Sequence, residues 1–132
     1  MAKIVIIGAG SGFGKRLSVD ILGREGLRES TIWLVDINEQ SARNVAEWVA
    51  ALVRQQKAPV EVKWTAERRE ALEGADYVVT AISVGGRAYA GSPFYEEVMV
   101  PSRYGVEQSV ADTVGVGGVF RTLRTAPEML RI

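Results

Sequence analysis

Closely spaced glycines near the start of the chain are the first residues whose pattern indicates chemistry. Gly8 and Gly10 fill the first two positions of a G-x-G-x-x-G dinucleotide fingerprint, and its third position is Phe13. A glycine turn that opens a helix lets phosphate oxygens reach backbone N–H groups, because no Cβ stands in the way. The third glycine normally lets the helix pack close to the strand, so Phe13 predicts a wider or rotated packing, with Gly12 and Gly14 relieving the backbone. Alone, the pattern fits a structural turn equally well.

A carboxylate further along the chain supplies the context that the glycines lack. Asp36 follows the apolar run 31–35, about 20 residues after the glycine cluster. An acidic side chain at this spacing holds the hydroxyls of the adenosine ribose, and its charge repels a 2′-phosphate, which favours NAD over NADP. The alternative is a charge at the start of the next helix, which Asn38 is placed to cap. The combined pattern predicts an NAD site.

These residues need a parallel sheet to position them. Apolar runs predict strands and helical periodicity predicts helices, in alternation: strands at 4–7, 31–35, 60–64 and 75–82, helices at 12–23, 38–56 and 67–72. We therefore expect an α/β fold, a Rossmann-like parallel sheet with helices on both faces and strand order 3-2-1-4. The switch point then lies between the first and fourth strands, where the two glycine-rich loops are expected to meet. Helical patterns return at 94–99 and 119–132, and Pro127 is expected to interrupt the second or to start a new turn.

Length and charge bound the class of protein. The 132 residues suffice for one domain, and we expect 1–132 to be an N-terminal dinucleotide-binding domain, truncated after the fourth strand and a following helix, with the C-terminal catalytic domain absent. Lys plus Arg and Asp plus Glu each number 16, so neither a nucleic-acid surface nor a basic membrane patch is expected. No apolar stretch has transmembrane length and no signal peptide precedes the first strand, which favours a cytoplasmic protein.

Two missing residue types restrict the chemistry. The sequence contains no Cys and no His. A zinc site or a Ser-His-Asp triad therefore cannot be built from this chain alone, and we assign it no catalytic residue and no metal ligand.

An incomplete sheet edge and an unpaired last helix favour association into a homo-oligomer.

Several segments together resemble the N-terminal domain of glycoside hydrolase family 4. The most specific is 108–125, QSVADTVGVGGVFRTLRT, and the others are the glycine loop with Phe13, Asp36-Ile37, 74–79, 84–86 and 103–105. The resemblance covers essentially the whole chain. It accounts for Phe13, because the family has a bulky residue where the third glycine would be.

This resemblance implies an unusual glycosidase that uses NAD and a divalent metal, usually Mn²⁺. NAD takes hydride from C3 of the sugar, the C2 proton becomes acidic and is removed, the aglycone leaves, water adds and the hydride returns. The Gln-Ser and Asp-Thr pairs within 108–113 are closer to the α-galactosidase or α-galacturonidase-like members than to the 6-phospho-glycosidases.

Site residues follow from the resemblance position by position. It implies that Arg87 and Asp112 bind substrate, although a solvated loop charge and a loop cap, respectively, are equally simple interpretations. The implied cofactor-binding residues are Gly8, Gly10, Ser11, Gly12, Phe13, Asp36, Ile37, Ser83, Val84 and Gly85.

The family's metal-binding Cys and His, and its acid and base, lie beyond the region matched. We therefore expect the isolated chain to bind NAD weakly at best, to hold no Mn²⁺ and to be inactive on a glycoside. Two alternatives remain at this point: an NAD-binding fragment of a lactate- or malate-type dehydrogenase, and a non-catalytic nucleotide-sensing module.

Overall fold

The computed structural model of the chain describes residues 1–85, 93–109 and 114–132, with only the backbone of Phe94. It divides into two compact units, Met1–Ile82 and Ser83–Ile132. In the described residues, no helix is both long enough and apolar enough to cross a membrane.

The first unit is built on a parallel sheet. Its strands pair in the order β3-β2-β1-β4, with β1 at the centre against β2 and β4. The register places Ile7 beside Val35 of β2 and Thr80 of β4, so the carboxyl ends of three strands lie at one edge. The strands are β1 (Ala2–Ile7), β2 (Ser30–Val35), β3 (Glu61–Thr65) and β4 (Tyr77–Thr80). This confirms the predicted α/β fold, including its strand order.

Helices cover both faces of this sheet, as predicted. Alternate strand residues such as Ile6, Ile32 and Leu34 are fully buried in one core cluster with apolar residues of two helices. These helices are α1 (Gly12–Leu22) and α2 (Glu39–Gln56). The short helix α3 (Arg68–Leu72) contacts β1, β2 and β3 through the opposite face, and its Ala71 is buried outside that cluster.

Strand β4 is shorter than predicted. The sequence predicted a strand over 75–82, whereas only Tyr77–Thr80 pair with β1. The run is nearly all apolar, as in a strand covered on both faces, yet Tyr77 is 58% and Val78 44% exposed. In the described part of the chain β4 pairs with β1 alone, so it forms an edge of the sheet.

Each tryptophan of the first unit lies beside a cation. Lys3 and Lys63 lie on the Trp33 ring at 4.8 and 5.5 Å from its centroid. Two further pairs, at 5.2 Å each, are Lys15 with Trp48 and Arg43 with Trp64. Such contacts are favourable because the ring face carries negative charge density.

The second unit contains two helices, α4 (Phe94–Arg103) and α5 (Val116–Met129). Both are bounded differently than predicted, and both contain a proline, Pro101 and Pro127. The expectation that Pro127 interrupts the helix is wrong. A proline removes one N–H, and the carbonyl that loses it here belongs to Leu123, a residue exposed enough (66%) for water to replace the bond.

The two helices of this unit pack closely, although Pro101 is the only apolar residue among their described side chains that is buried. A Cβ on Gly117 would lie 2.2 Å from the carbonyl oxygen of Glu97, so only glycine allows this approach. Gly117 also donates its N–H to the Gln108 side chain at 3.1 Å. Among the side chains described in 83–132, no Ala, Val, Leu, Ile, Met, Phe or Tyr is buried. Polar contacts therefore carry much of this packing.

Candidate functional site

The turn after β1 is fixed to the ends of both neighbouring strands. Gly8 has a φ of +86°, and a Cβ there would lie 2.3 Å from the carbonyl oxygen of Ala81, just past β4. The N–H groups of Gly8 and Ala9 both donate to the Val35 carbonyl at the end of β2, at 2.8 and 3.0 Å. A side chain at Gly8 would therefore be both strained and blocked.

Gly10 lies directly against the carboxylate of Asp36. The Gly10 N–H donates to Asp36 Oδ2 at 2.8 Å, and the other oxygen, Oδ1, accepts from the Asn38 N–H at 2.8 Å. A Cβ on Gly10 would lie 2.7 Å from Asp36 Oδ2 and from the Ser41 Cβ. The structure thus brings together two of the predicted site residues, 26 positions apart.

The contacts of Asp36 fit a charge at the start of α2 and leave room for the ribose-binding interpretation as well. Asn38 caps α2 by accepting from the Ser41 N–H at 2.8 Å, and Asp36 supports that turn through the Asn38 N–H. A carboxylate offers about four acceptor sites, so after these two bonds about two remain. The half-buried carboxylate can therefore still accept from a pair of hydroxyl groups.

Helix α1 begins without a side-chain cap. Ser11 precedes the helix, but its Oγ donates back to the Gly8 carbonyl at 3.0 Å. Within the described residues, the N–H groups of Gly12 and Phe13 have no hydrogen-bond partner. The first turn carries no acidic residue. Unpaired N–H groups and the positive end of the helix dipole make this terminus suited to an anion such as a phosphate.

Gly14 takes the role that the fingerprint gives to its third glycine. A Cβ on Gly14 would lie 2.0 Å from the Ala9 carbonyl oxygen, whereas one on Gly12 would meet nothing within 4 Å. Of the wider or rotated packing predicted at Phe13, the wider one is wrong, because the helix approaches closely one residue later. Of the two glycines predicted to relieve the backbone, only Gly14 makes a close contact. Phe13 needs no space inside, because its side chain is 53% exposed.

An exposed apolar residue follows the carboxylate. Ile37 is 99% exposed, directly after Asp36. A single exposed isoleucine is unremarkable on a protein surface. Here it directly follows Asp36, whose carboxylate contacts the glycine turn 8–10.

The other predicted cofactor residues belong to the second unit. Ser83 is exposed, and the Val84 carbonyl accepts a hydrogen bond from Arg124 Nε at 2.7 Å. Gly85 has a φ of +109°, and a Cβ there would lie 2.7 Å from the Pro93 side chain. This backbone segment is therefore tied to its own unit.

Sequence reasoning missed an ion cluster between α4 and α5. Glu97, 7% exposed, pairs through Oε2 with Arg121 Nε at 3.0 Å and through Oε1 with Arg124. Burial alone would raise the pKa of the Glu97 carboxyl, but hydrogen bonds from Arg124 and Arg121, and their charges, hold that pKa below its usual value of 4.5. The spacing of the two arginines, one turn apart on one helix, was the available signal.

Two predicted substrate residues cannot be placed. Arg87 and Asp112 lie outside the described residues. In the part of the chain that the structure describes, no three Asp or Glu side chains are grouped so as to hold a metal ion.

Comparison with known proteins identifies a family whose model matches this chain. The model of the family described as "Family 4 glycosyl hydrolase" matches residues 3–132. An α-galactosidase of Rhizobium meliloti (strain 1021) is 39% identical over 97% of this chain and 26% of its own. An α-galactosidase of Bacillus subtilis (strain 168) is 38% identical over 100% of this chain and 30% of its own. The chain thus spans about a quarter to a third of these relatives.

Solved structures agree with the fold. The 6-phospho-β-glucosidase from Thermotoga maritima with NAD and glucose-6-phosphate superposes with a TM-score of 0.76 at 27% identity, covering 97% of this chain and 29% of that one. A second structure of that enzyme, with manganese, NAD⁺ and glucose-6-phosphate, gives a TM-score of 0.80 at 24% identity, covering 99% and 30%. At the lower identity the likeness supports the fold alone.

Proposed function

The chain belongs to family 4 of the glycosyl hydrolases, and on that premise we propose that it is the NAD-binding portion of an NAD-dependent glycosidase. We propose an α-galactosidase-like enzyme, because the two relatives described above are α-galactosidases. The observation that carries the cofactor assignment is the contact between Asp36 and Gly10 beside the uncapped start of α1.

The residues of the first unit fit a dinucleotide. The unpaired N–H groups of Gly12 and Phe13 would donate to the pyrophosphate, and the glycines at 8 and 10 keep the approach free of side chains. Asp36 would accept from the ribose hydroxyls through its remaining lone pairs, and Ile37 would cover the adenine. The negative charge of Asp36 would disfavour a 2′-phosphate, so NAD is preferred to NADP.

The protein's contribution to the reaction is to bind and orient the cofactor. NAD, when bound, supplies the hydride acceptor for oxidation at C3 of the sugar. Ser83, Val84 and Gly85 are proposed to contact it, as the family resemblance implies, and Arg87 and Asp112 to contact the glycoside. No described residues form a Mn²⁺ site, so we assign no step to a metal bound by this chain.

We propose that the 132 residues by themselves do not turn over a glycoside. A sequence with no His and no Cys lacks the commonest general base and the commonest metal ligands. Release of nitrophenol from a nitrophenyl α-galactoside by this polypeptide with NAD and Mn²⁺ would contradict the proposal.

A dehydrogenase fragment and a nucleotide sensor share the fold, but the family match over 3–132 favours the glycosidase.

We further propose self-association through the exposed residues of β4 and α5, among them Tyr77 and Leu123. Light scattering over a range of concentrations tests this, and a monomer throughout would contradict it.

Thermal unfolding with added cofactor and a calorimetric titration together test the cofactor assignment. NAD should raise the free energy of unfolding of the chain by about 2.7 kcal/mol at a concentration about 100 times its Kd. NADP should have less effect. Asp36→Asn should weaken NAD binding about tenfold, the effect of losing a charged hydrogen-bond acceptor. Asp20→Asn, the same change on the exposed surface of α1, serves as the control, and equal NAD affinity in both variants would contradict the assignment.

A further inference from the structure

Arg124 of α5 contacts a backbone carbonyl 40 residues earlier in the chain. Its Nε donates to the Val84 oxygen at 2.7 Å, where the backbone belongs to neither a helix nor a strand. A Cβ on Gly85 would lie 3.3 Å from that same Nε. The guanidinium therefore packs against this turn as well as donating to it.

Glu97 holds the same guanidinium from the other side. Its Oε1 accepts from Arg124 Nη1, while its Oε2 accepts from Arg121 Nε at 3.0 Å. Glu97 is buried and Arg124 is only a quarter exposed. A planar guanidinium can donate in two directions at once, and an ammonium group cannot reproduce that geometry. Arg124 thus links the packing of α4 and α5 to the position of one carbonyl.

We propose that Arg124 is a positioning residue, which fixes the backbone at 83–85 so that this segment can contact the nicotinamide half of the dinucleotide. The inference rests on the proposed function, which assigns Ser83, Val84 and Gly85 to the cofactor. Arg124 itself touches no reacting atom in this account. Its effect passes through the Val84 carbonyl and the Gly85 turn.

A merely structural role would produce a different result. If Arg124 served only to pair with Glu97, any cation at this position would restore the helix pair and with it every other property. Arg124→Lys therefore separates the two roles, because lysine keeps a charge for Glu97 but cannot also hold Val84. Arg124→Gln removes both contacts, and Arg131→Gln, which changes an exposed arginine paired with Glu128, is the matched control.

Two measurements on the 132-residue chain test the inference. Backbone amide order parameters at Ser83 and Gly85, obtained from NMR relaxation, report the mobility of this segment. Calorimetric Kd values for NAD and for ADP-ribose, which lacks the nicotinamide, report the cofactor contact. We expect lower order parameters in both Arg124 variants, an unchanged Kd for ADP-ribose, and a Kd for NAD raised about tenfold, the effect of one hydrogen bond to a charged group. Arg131→Gln should match the wild type.

Each outcome decides a different claim. Wild-type order parameters and a wild-type ratio of the two Kd values in Arg124→Lys would overturn the inference, even if Arg124→Gln failed to fold. Equal binding of NAD and ADP-ribose by the wild type would also overturn it. Failure of the wild type to bind either ligand would instead overturn the proposed function, and the order parameters would still show whether Arg124 positions the segment.

Discussion

Asp36 is held in place before any ligand arrives. Its two oxygens accept from the N–H groups of Gly10 and Asn38, each at 2.8 Å. One bond reaches back to the glycine turn and the other forward to the cap of α2. A carboxylate fixed at both oxygens loses little further freedom when it binds a diol, which favours affinity. The same contacts explain why a glycine is needed at position 10.

A methyl group at position 10 should damage the site. In Gly10→Ala the new Cβ would lie 2.7 Å from Asp36 Oδ2 and from the Ser41 Cβ, so the carboxylate must move. We expect NAD affinity to fall about tenfold or more, since a hydrogen bond to a charged group is lost. Gly26→Ala adds its methyl where nothing lies within 4 Å, outside the glycine turn and the start of α1, and should bind as the wild type. Equal Kd values for the two variants would contradict this account.

Some site residues were predictable from spacing and others were not. Gly8, Gly10 and Asp36 follow from a fingerprint in which each residue type has one physical reason. The close approach at Gly14 did not follow, because the pattern places it at the residue occupied by Phe13. The pair formed by Glu97 and Arg124 depends on how α4 packs on α5, which local patterns do not reveal.

At the scale of the elements, the sheet and its order were predicted and the element ends were not. Periodicity identifies the strands of 1–82, because a strand buried on one face alternates apolar and polar residues and a strand buried on both faces is apolar throughout. Helix α4 extends to Arg103 through Pro101, although proline usually signals an end. Its lost N–H would have bonded the Glu97 carbonyl, and Gly117 of α5 approaches that oxygen instead.

The packing of α1 on the first turn should depend on Gly14. In Gly14→Ala the Cβ would lie 2.0 Å from the Ala9 carbonyl oxygen, a backbone atom that cannot rotate away. We expect a loss of about 2–3 kcal/mol in the free energy of unfolding, the cost of overpacking a tight contact. Urea unfolding measures it. Gly26→Ala, which meets nothing within 4 Å, should stay within about 0.5 kcal/mol of the wild type, and a similar value for Gly14→Ala would contradict the close approach.

The helix pair of the second unit should weaken in acid. Arg124 and Arg121 hold the pKa of Glu97 below 4.5, so the stability that the ionised carboxylate provides is complete above about pH 4.5 and is lost as the pH falls through the lowered pKa. Glu97→Gln should therefore cost up to about 3 kcal/mol at pH 7, since the arginines keep partial hydration, and the difference from the wild type should shrink in acid. Urea unfolding followed by far-UV circular dichroism, from pH 7 to about pH 3, measures both.

Glu96 provides the control for that experiment. It neighbours Glu97 on α4 and is exposed, and no ion pair of the described chain includes it. Glu96→Gln should keep the acid dependence of the wild type. If both variants lost it to the same extent, the buried cluster could not be its cause.

At the scale of the whole molecule, the buried apolar side chains are unevenly distributed. Apart from Pro101 of α4, every buried apolar side chain of the described chain lies between Ile4 and Ala71, within the first unit. We expect backbone amides of β1 and β2 to exchange with solvent at least about tenfold more slowly than those of α4 and α5, because exchange follows the free energy of local opening. Hydrogen exchange measured by NMR tests this, and equal protection in α4 and β1 would contradict it.

The tryptophans have a practical consequence for optical studies of this protein. All three indoles, Trp33, Trp48 and Trp64, belong to the first unit, each stacked with a basic side chain. Their fluorescence emission therefore reports on the first unit alone and does not change when α4 or α5 frays. A fluorescence melting curve would report a single clean transition even if those two helices had already come apart.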